Sequence, residues 1–284
     1  MTMNQNRIVF TRFQSDGKEM FNDIYSIDPD GRKETRLTMN PGPKGEYADN
    51  AAPRYNKAKT MLAFVSTKNN PNKKFNIFFL DLATRKTAQI TTGNLDITSV
   101  DWAPDDSRLV FSCKDESGLQ QVHVVSMDGT GFTKLTEGPA EHTTPMWSPR
   151  GDLITFVELL PGGKASHVWV MDPQGRNRVK LTSDETEHAN PSWSPDGSWV
   201  VFRCDEPAPH LRRINVDTRE LVLFEPPARG VDSSPIWSGT EIVFSSNCDW
   251  EDADSVFNLY KMSYTGGNLQ RITTNQTFEY CGDW

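Results

Sequence analysis

One phrase recurs along the chain at nearly constant spacing, and it constrains the fold more than any other feature. An aromatic residue stands at positions 55, 102, 147, 193, 237 and 284, with gaps of 47, 45, 46, 44 and 47 residues. The phrase is best preserved in Pro145–Pro149 and Pro191–Pro195, which both read Pro-x-Trp-Ser-Pro. Repeats of this length are typical of solenoids and propellers, in which each small unit buries its apolar surface against the next.

Each repeat unit contains the signals of about four short strands. An apolar run that ends in Phe follows the anchor, as in Leu153–Phe156. A second, alternating run follows, as in His167–Met171, and then a Gly-containing turn and a short segment such as Lys180–Thr182. No helical period of 3.6 residues is visible. Six such units of about 45 residues predict an all-β fold, a six-bladed β-propeller of four-stranded antiparallel blades.

The two ends of the chain are expected to complete one blade together. The last anchor, Trp284, has no strands after it, whereas residues 7–38 supply strands with no anchor before them. Pairing of the N-terminal strands with the C-terminal strand closes the ring. The sequence therefore predicts one propeller domain over residues 1–284, with blades at approximately 1–48 plus 278–284, 49–95, 96–140, 141–186, 187–230 and 231–277.

Charge and composition exclude several classes of function. The chain has 38 Asp and Glu against 30 Lys and Arg, a net charge of -8, which is the reverse of the basic field of a nucleic-acid-binding protein. No stretch approaches the roughly 18 apolar residues of a membrane-spanning helix. We therefore expect a soluble protein with no nucleic acid bound and no membrane span. We also expect a monomer whose partner is a protein or peptide.

The N-terminus and the cysteines bear on the cellular compartment. Residues 1–6 contain no basic start followed by an apolar run, so no signal peptide is visible. We expect a cytoplasmic protein as the sequence is written, or a periplasmic one if a signal peptide has been removed. The four cysteines form no Cys-x-x-Cys pair, which argues against a structural zinc site of that type. Cys113 and Cys204 occupy matching repeat positions and are expected to be buried free thiols.

The repeat resembles that of TolB-like propellers, the WD40-like PD40 repeat family. The cleanest copy is Asn190–Phe202, and the resemblance covers essentially the whole chain. It implies a six-bladed propeller that binds a protein partner at the mouth of its central channel. TolB itself carries an additional N-terminal α/β domain, for which we expect no room in this chain, and it is exported, whereas no signal peptide is visible in the sequence as written. Similar repeats occur in prolyl oligopeptidase-like enzymes and in oligogalacturonate lyase.

Residues six and five positions before each anchor are expected to line the channel mouth. Every unit contributes at least one carboxylate there, and two units contribute an adjacent histidine. The candidate ligand- or partner-binding residues are Asp49, Asp96, Glu141, His142, Glu187, His188, Asp232 and Glu279. Converging carboxylates favour a basic peptide, an amine or a cation. No cofactor is predicted; a secondary hypothesis is one divalent cation, such as calcium, with candidate ligands His142, His188, Glu141 and Glu187.

Three hypotheses for the function follow. The sequence has no Gly-x-Ser-x-Gly, His-Glu-x-x-His or phosphate-loop motif, so no catalytic residue is predicted. The favoured hypothesis is a non-enzymatic scaffold that binds a protein, peptide or ligand through an acidic channel mouth. The alternative is a metal-dependent, carbohydrate-active enzyme, lyase- or hydrolase-like, that uses the same mouth. A third is a purely structural module within a larger assembly.

Overall fold

The strands of the protein form six separate sheets around a central channel. The computed structural model describes residues 6–40, 46–163, 165–206, 209–224, 230–248 and 256–284. The strands are, in chain order, β1 (Ile8–Ser15), β2 (Met20–Ile27) and β3 (Thr35–Arg36); β4 (Asn50–Tyr55), β5 (Met61–Ser66), β6 (Asn76–Asp81) and β7 (Thr87–Gln89); β8 (Ser99–Trp102), β9 (Arg108–Lys114), β10 (Gln120–Ser126) and β11 (Thr133–Lys134); β12 (Glu141–Trp147), β13 (Ile154–Leu159), β14 (Ser166–Met171) and β15 (Val179–Lys180); β16 (His188–Trp193), β17 (Trp199–Cys204), β18 (His210–Asn215) and β19 (Leu221–Leu223); β20 (Asp232–Ser238), β21 (Glu241–Ser246), β22 (Asn258–Ser263) and β23 (Gln270–Arg271); and β24 (Glu279–Asp283).

The sheets confirm the predicted propeller and its closure. Five sheets are consecutive four-stranded antiparallel units that begin at β4, β8, β12, β16 and β20. The sixth has the order β24–β1–β2–β3, so the C-terminal strand is its innermost member, and Arg12 on β1 pairs in register with Glu279 on β24. The described residues contain no helix, and hence none that is long and apolar enough to cross a membrane.

The second strand of each blade carries the core. In every blade the apolar run after the anchor places one Phe at the centre of this strand, and all six are at most 2% exposed: Phe10, Phe64, Phe111, Phe156, Phe202 and Phe244. A single four-stranded sheet cannot bury both of its faces, so each blade packs against its neighbours. Cys113, the penultimate residue of β9, and Cys204, the last residue of β17, are buried free thiols, as expected.

A threonine that follows the outermost strand stabilises that strand in most blades. In five blades the Thr hydroxyl accepts a hydrogen bond from a backbone N–H 14 residues earlier, on the third strand; for example, Thr136 accepts from Val122 at 2.8 Å and Thr182 from Val168 at 3.1 Å. The outermost strands have only two or three residues. Because so short a strand has few ladder bonds, a buried side-chain bond of this kind stabilises the blade edge.

The anchors and the turns connect one blade to the next. The indole N–H of Trp102 donates to the carbonyl of Arg54, and that of Trp193 to the carbonyl of Met146, in both cases on the preceding blade at 3.1 Å. The turn after the third strand also abuts the preceding blade. Gly175 has a φ of +79°, and a Cβ there would lie 2.5 Å from the carbonyl oxygen of Leu135. This turn therefore requires glycine for both its conformation and its close approach.

Candidate functional site

A cavity of about 440 Å³ occupies one end of the central channel. We call this end the mouth; it is where the innermost strands begin. All six innermost strands contribute to the cavity wall, and the wall residues that represent them are Ala52, Ser99, Thr144, Asn190, Ser234 and Tyr280. Phe13 and Asn22, from the second and third strands of the closing blade (β1 and β2), complete one side. A site built by every blade depends on the closed ring for its shape.

A backbone bulge before each Pro-x-Trp gives four of the blades their cavity residue. The register of the innermost strand shifts at this point in the blades that contain Ala52, Thr144, Asn190 and Ser234. Each of these four residues precedes a proline and has a φ between +46° and +51°. Bulges re-aim side chains, and a left-handed φ is unusual for a β-branched residue such as Thr144. The strand of the third blade has Val100 in place of the proline and keeps a regular register.

The cavity wall mixes apolar and polar groups and is nearly uncharged. It presents aliphatic, proline and aromatic side chains beside hydroxyls and amides, and among the described residues it contains no Asp, Glu or His. The permanent charge among these described wall residues is Arg54 at the inner end, whose guanidinium donates a hydrogen bond to the carbonyl of Gly282. Such a wall offers donors and acceptors for a polar ligand but no described carboxylate or imidazole to move a proton.

The eight residues predicted for the mouth divide into two layers. Position five mostly begins an innermost strand, whereas position six precedes it or, in Glu141 and His142, points to the opposite face, so the two positions separate. The residues at position six are half-buried or exposed at the rim; they are Asp49, Asp96, Glu141 and Glu187. Position five is at most 3% exposed and contains His142, His188, Asp232 and Glu279. None of the eight is among the residues that line the cavity.

The buried layer is bound to neighbouring strands. Glu279 forms an ion pair with Arg12 at 2.6 Å, and Asp232 lies 3.3 Å from the Nδ1 of His210. The Nδ1–H of His142 donates to the Oε1 of Gln121 at 2.8 Å, and burial lowers the pKa of His142 to about 4, so this ring is neutral at pH 7. These contacts hold strands and blades together.

The rim layer is only partly paired. Asp96 forms ion pairs with Lys74 at 2.8 Å and Lys114 at 3.7 Å, and Asp49 accepts the backbone N–H of Asn22 at 3.1 Å. The side chain of Glu187 is 47% exposed and lies 4.0 Å from Arg203. The Glu141 side chain stands in the same layer and is partly exposed. The carboxylates of Glu141 and Glu187 thus bring negative charge to the rim, beside the cations of Lys74, Lys114 and Arg203.

Below the cavity, charged residues line the far half of the channel. A second cavity of about 380 Å³ opens at the opposite end and is lined by the anchor segments, with Asp101 and Asp283 in its wall. Asp101 accepts the backbone N–H of Trp147, and Asp283 that of Tyr55, each at 2.8 Å and each on the next blade. Burial raises the pKa of Asp101 to about 7, although the positive charge of Arg54 opposes the shift.

One cluster of side chains has the spacing of metal ligands. Among the described residues, only Asp184, His188 and Cys204 bring three such ligand atoms within 4.8 Å of one another. The sequence predicts His188 as a candidate metal ligand, but it does not predict Asp184 or Cys204. His142 and the rim carboxylates Glu141 and Glu187 do not belong to this cluster.

The repeat and the ring of six blades place the chain in a known family. The family model of the TolB beta propeller domain, PD40, matches residues 44–238. The chain belongs to the TolB β-propeller family. Among solved structures, TolB from Acinetobacter baumannii superposes with a TM-score of 0.78 at 16% identity, covering 98% of this chain and 67% of that one. A putative TolB from Agrobacterium tumefaciens gives a TM-score of 0.74 at 18% identity, covering 97% of both chains.

A curated relative of the propeller carries an enzyme's name. The uncharacterized peptidase YuxL of Bacillus subtilis is 29% identical over 116 residues, which is 40% of this chain and 18% of YuxL. The chain thus matches less than a fifth of that relative's length. The structural likenesses are below 25% identity and establish the fold alone, so the function of this TolB-family propeller rests on its own residues.

Proposed function

We propose that this TolB-family propeller is a non-enzymatic scaffold that binds a peptide segment of a partner protein at the channel mouth. The observation that carries the proposal is the cavity of about 440 Å³ to which all six blades contribute. Ligand sites of proteins commonly have volumes of about 300–1,000 Å³. A cavity of this size accommodates a few residues of an inserted segment.

The chemistry of the wall favours binding over catalysis. The hydroxyls of Ser99, Thr144 and Ser234 and the amide of Asn190 both donate and accept hydrogen bonds, which matches the main-chain groups of a peptide. Tyr280 adds an aromatic surface that is 41% exposed. The described wall contains no Asp, Glu or His, the side chains that most often serve as general acid and base, so the binding hypothesis has more support than the enzymatic one.

The rim supplies the preference for a basic partner. Glu141 and Glu187 are on neighbouring blades at the mouth, and the whole chain carries a net charge of -8. Rim charges act mainly on the rate of association and on its salt dependence, whereas buried contacts act on the rate of dissociation. We infer that the cavity holds the inserted segment while the rim attracts its basic flanks.

A charge-reversal experiment tests this division of roles. Peptides selected from a displayed library on the wild-type protein are measured by surface plasmon resonance against Glu141→Lys/Glu187→Lys. The control is Asp217→Lys/Glu220→Lys, which changes the net charge equally at the opposite end of a blade. We expect the mouth variant to lower the association rate at least tenfold at low salt and the control to leave it within about twofold. Equal effects of the two variants would contradict the proposed site.

A further inference from the structure

The cluster of Asp184, His188 and Cys204 lies outside the cavity, at the junction of the fourth and fifth blades. His188 begins β16 and Cys204 ends β17, and the two are register partners. Asp184 lies in the connection that precedes β16. The Nε2 of His188 lies 2.9 Å from the Oδ1 of Asp184, and all three ligand atoms lie within 4.8 Å of one another. We propose that this cluster is a binding site for Zn²⁺ or a similar borderline divalent cation.

The hydrogen bonding of His188 fixes which ring nitrogen faces the carboxylate. Its Nδ1 lies 2.7 Å from the carbonyl oxygen of Ser166. A carbonyl oxygen only accepts hydrogen bonds, so Nδ1 carries the proton and the neutral ring presents the Nε2 lone pair to Asp184. Two acceptors at 2.9 Å repel each other unless a cation lies between them. That cation is either a second proton on the ring or a metal ion.

The contacts around the His188 ligand are those that commonly orient a metal-binding histidine. Metal-bound histidines typically donate their other ring N–H to a backbone carbonyl or carboxylate, as His188 does to Ser166. The Ser166 hydroxyl also accepts the backbone N–H of His188 at 2.8 Å and so fixes the ligand's position. Arg212 lies 3.5 Å from the other oxygen of Asp184, Oδ2, which leaves Oδ1 for the cation.

A thiol and a further imidazole distinguish this cluster from an ordinary ion pair. Cys204 supplies a soft sulfur, and a set of one nitrogen, one sulfur and one oxygen suits Zn²⁺ better than Ca²⁺. The ring of His167, 6.1 Å from that of His188, is 3% exposed, and its Nδ1 has no hydrogen-bond partner. Asp184 is 46% exposed on its side chain, which gives a cation access from solvent. Three protein ligands leave one tetrahedral position for water.

Cobalt titration of the full chain tests the site. Co²⁺ replaces Zn²⁺ in tetrahedral sites and gives a near-ultraviolet charge-transfer band only when a thiolate is a ligand. We expect saturation at one equivalent, displacement by Zn²⁺, and loss of the band in Cys204→Ser with at least a tenfold weaker affinity. The matched control is Cys113→Ser, which removes a buried thiol at the same repeat position, 3.4 Å from His123 and outside the cluster.

A second variant covers the case in which Cys204→Ser fails to fold. Asp184→Asn changes a half-exposed side chain and should weaken Co²⁺ binding at least tenfold with little effect on the melt. Wild-type protein that binds no Co²⁺ would overturn the proposal and assign the 2.9 Å contact to a histidine–aspartate ion pair. A charge-transfer band that survives in Cys204→Ser, or binding that Asp184→Asn leaves unchanged, would overturn it as well.

Discussion

The ion pair that closes the ring gives the sharpest stability prediction. Arg12 on β1 and Glu279 on β24 join the two ends of the chain, and their side chains are 9% and 0% exposed. In Arg12→Met the Glu279 carboxylate keeps Thr273 and Asn275 as its hydrogen-bond partners among the described residues. A buried charge that loses its partner costs about 3–5 kcal/mol. Glu34, the other partner of Arg12, is 35% exposed and regains water, so it adds little to the loss.

The loss of folding stability in Arg12→Met should depend on pH. Burial already raises the pKa of Glu279, and loss of the arginine raises it further because the opposing positive charge is gone. Protonation then relieves the unpaired charge at low pH. The carboxyl of Glu279 binds its proton more tightly in the folded than in the unfolded state, so the variant loses stability as the pH rises through the folded pKa. We therefore expect a larger loss at pH 8 than at pH 5.

Guanidinium denaturation followed by tryptophan fluorescence measures the effect, with thermal melts as a second probe. A loss of this size corresponds to a fall in Tm on the order of 10 °C. The control is Arg32→Met, the same substitution in the exposed ion pair with Asp30 in the turn between β2 and β3, for which we expect no measurable change. Arg12→Met/Glu279→Gln should recover part of the loss because no buried charge remains. Equal stability of Arg12→Met and Arg32→Met would refute the reasoning.

Two further predictions concern the junctions between blades. In Gly175→Ala the new Cβ would lie 2.5 Å from the Leu135 carbonyl oxygen, so we expect a lower Tm. The control is Gly162→Ala, at a turn glycine with φ +92° and open space around it, and the Tm of Gly175→Ala should be several degrees below that of the control. Equal Tm values would contradict the close approach. Asp101 binds its proton more tightly in the folded state, so the wild type should lose stability as the pH rises from about 4 through 7. Asp101→Asn keeps an acceptor for the Trp147 N–H and should flatten this dependence in melts at pH 5 and 8; an unchanged slope would count against it.

The periodic features of the fold were predictable because they repeat. Six anchors at nearly equal gaps require six equivalent units, and the unmatched strands at each end leave closure as the way to complete the sixth. The Phe at the end of each apolar run and the Gly of the turns also recur, so each copy supports the others. The pairing of β24 with β1 confirms this inference from the sequence.

The geometry of the mouth was harder to predict because it depends on which side of the strand each residue faces. Glu141 and His142 are neighbours in the sequence, yet one faces the rim and the other a blade junction. The sequence alone predicts that such pairs belong to one ring. The signal for the cavity residues was nonetheless present, since Thr144, Asn190 and Ser234 each precede the proline of the repeat. Residues before proline normally favour extended conformations, so propensity alone argues against the bulge that aims them inward.

The proposed cation site could not be predicted from the sequence, for a different reason. Asp184 and Cys204 are 20 residues apart, and a single cysteine with a single histidine matches no spacing motif. The hairpin register that sets His188 opposite Cys204 brings the ligands together.

The affinity of a selected peptide for a cavity-filled variant tests the central claim most directly. Thr98 is exposed and lines the cavity, so Thr98→Trp should fill much of it. The buried hydroxyl of Ser112 loses its bond to Thr98 but keeps the hydroxyl of Ser99 as a partner. The matched control is Thr130→Trp, in the exposed turn between β10 and β11. We expect Thr98→Trp to weaken binding at least tenfold and Thr130→Trp to leave it within about twofold. Wild-type affinity in Thr98→Trp, with the same fold and melt, would contradict this claim.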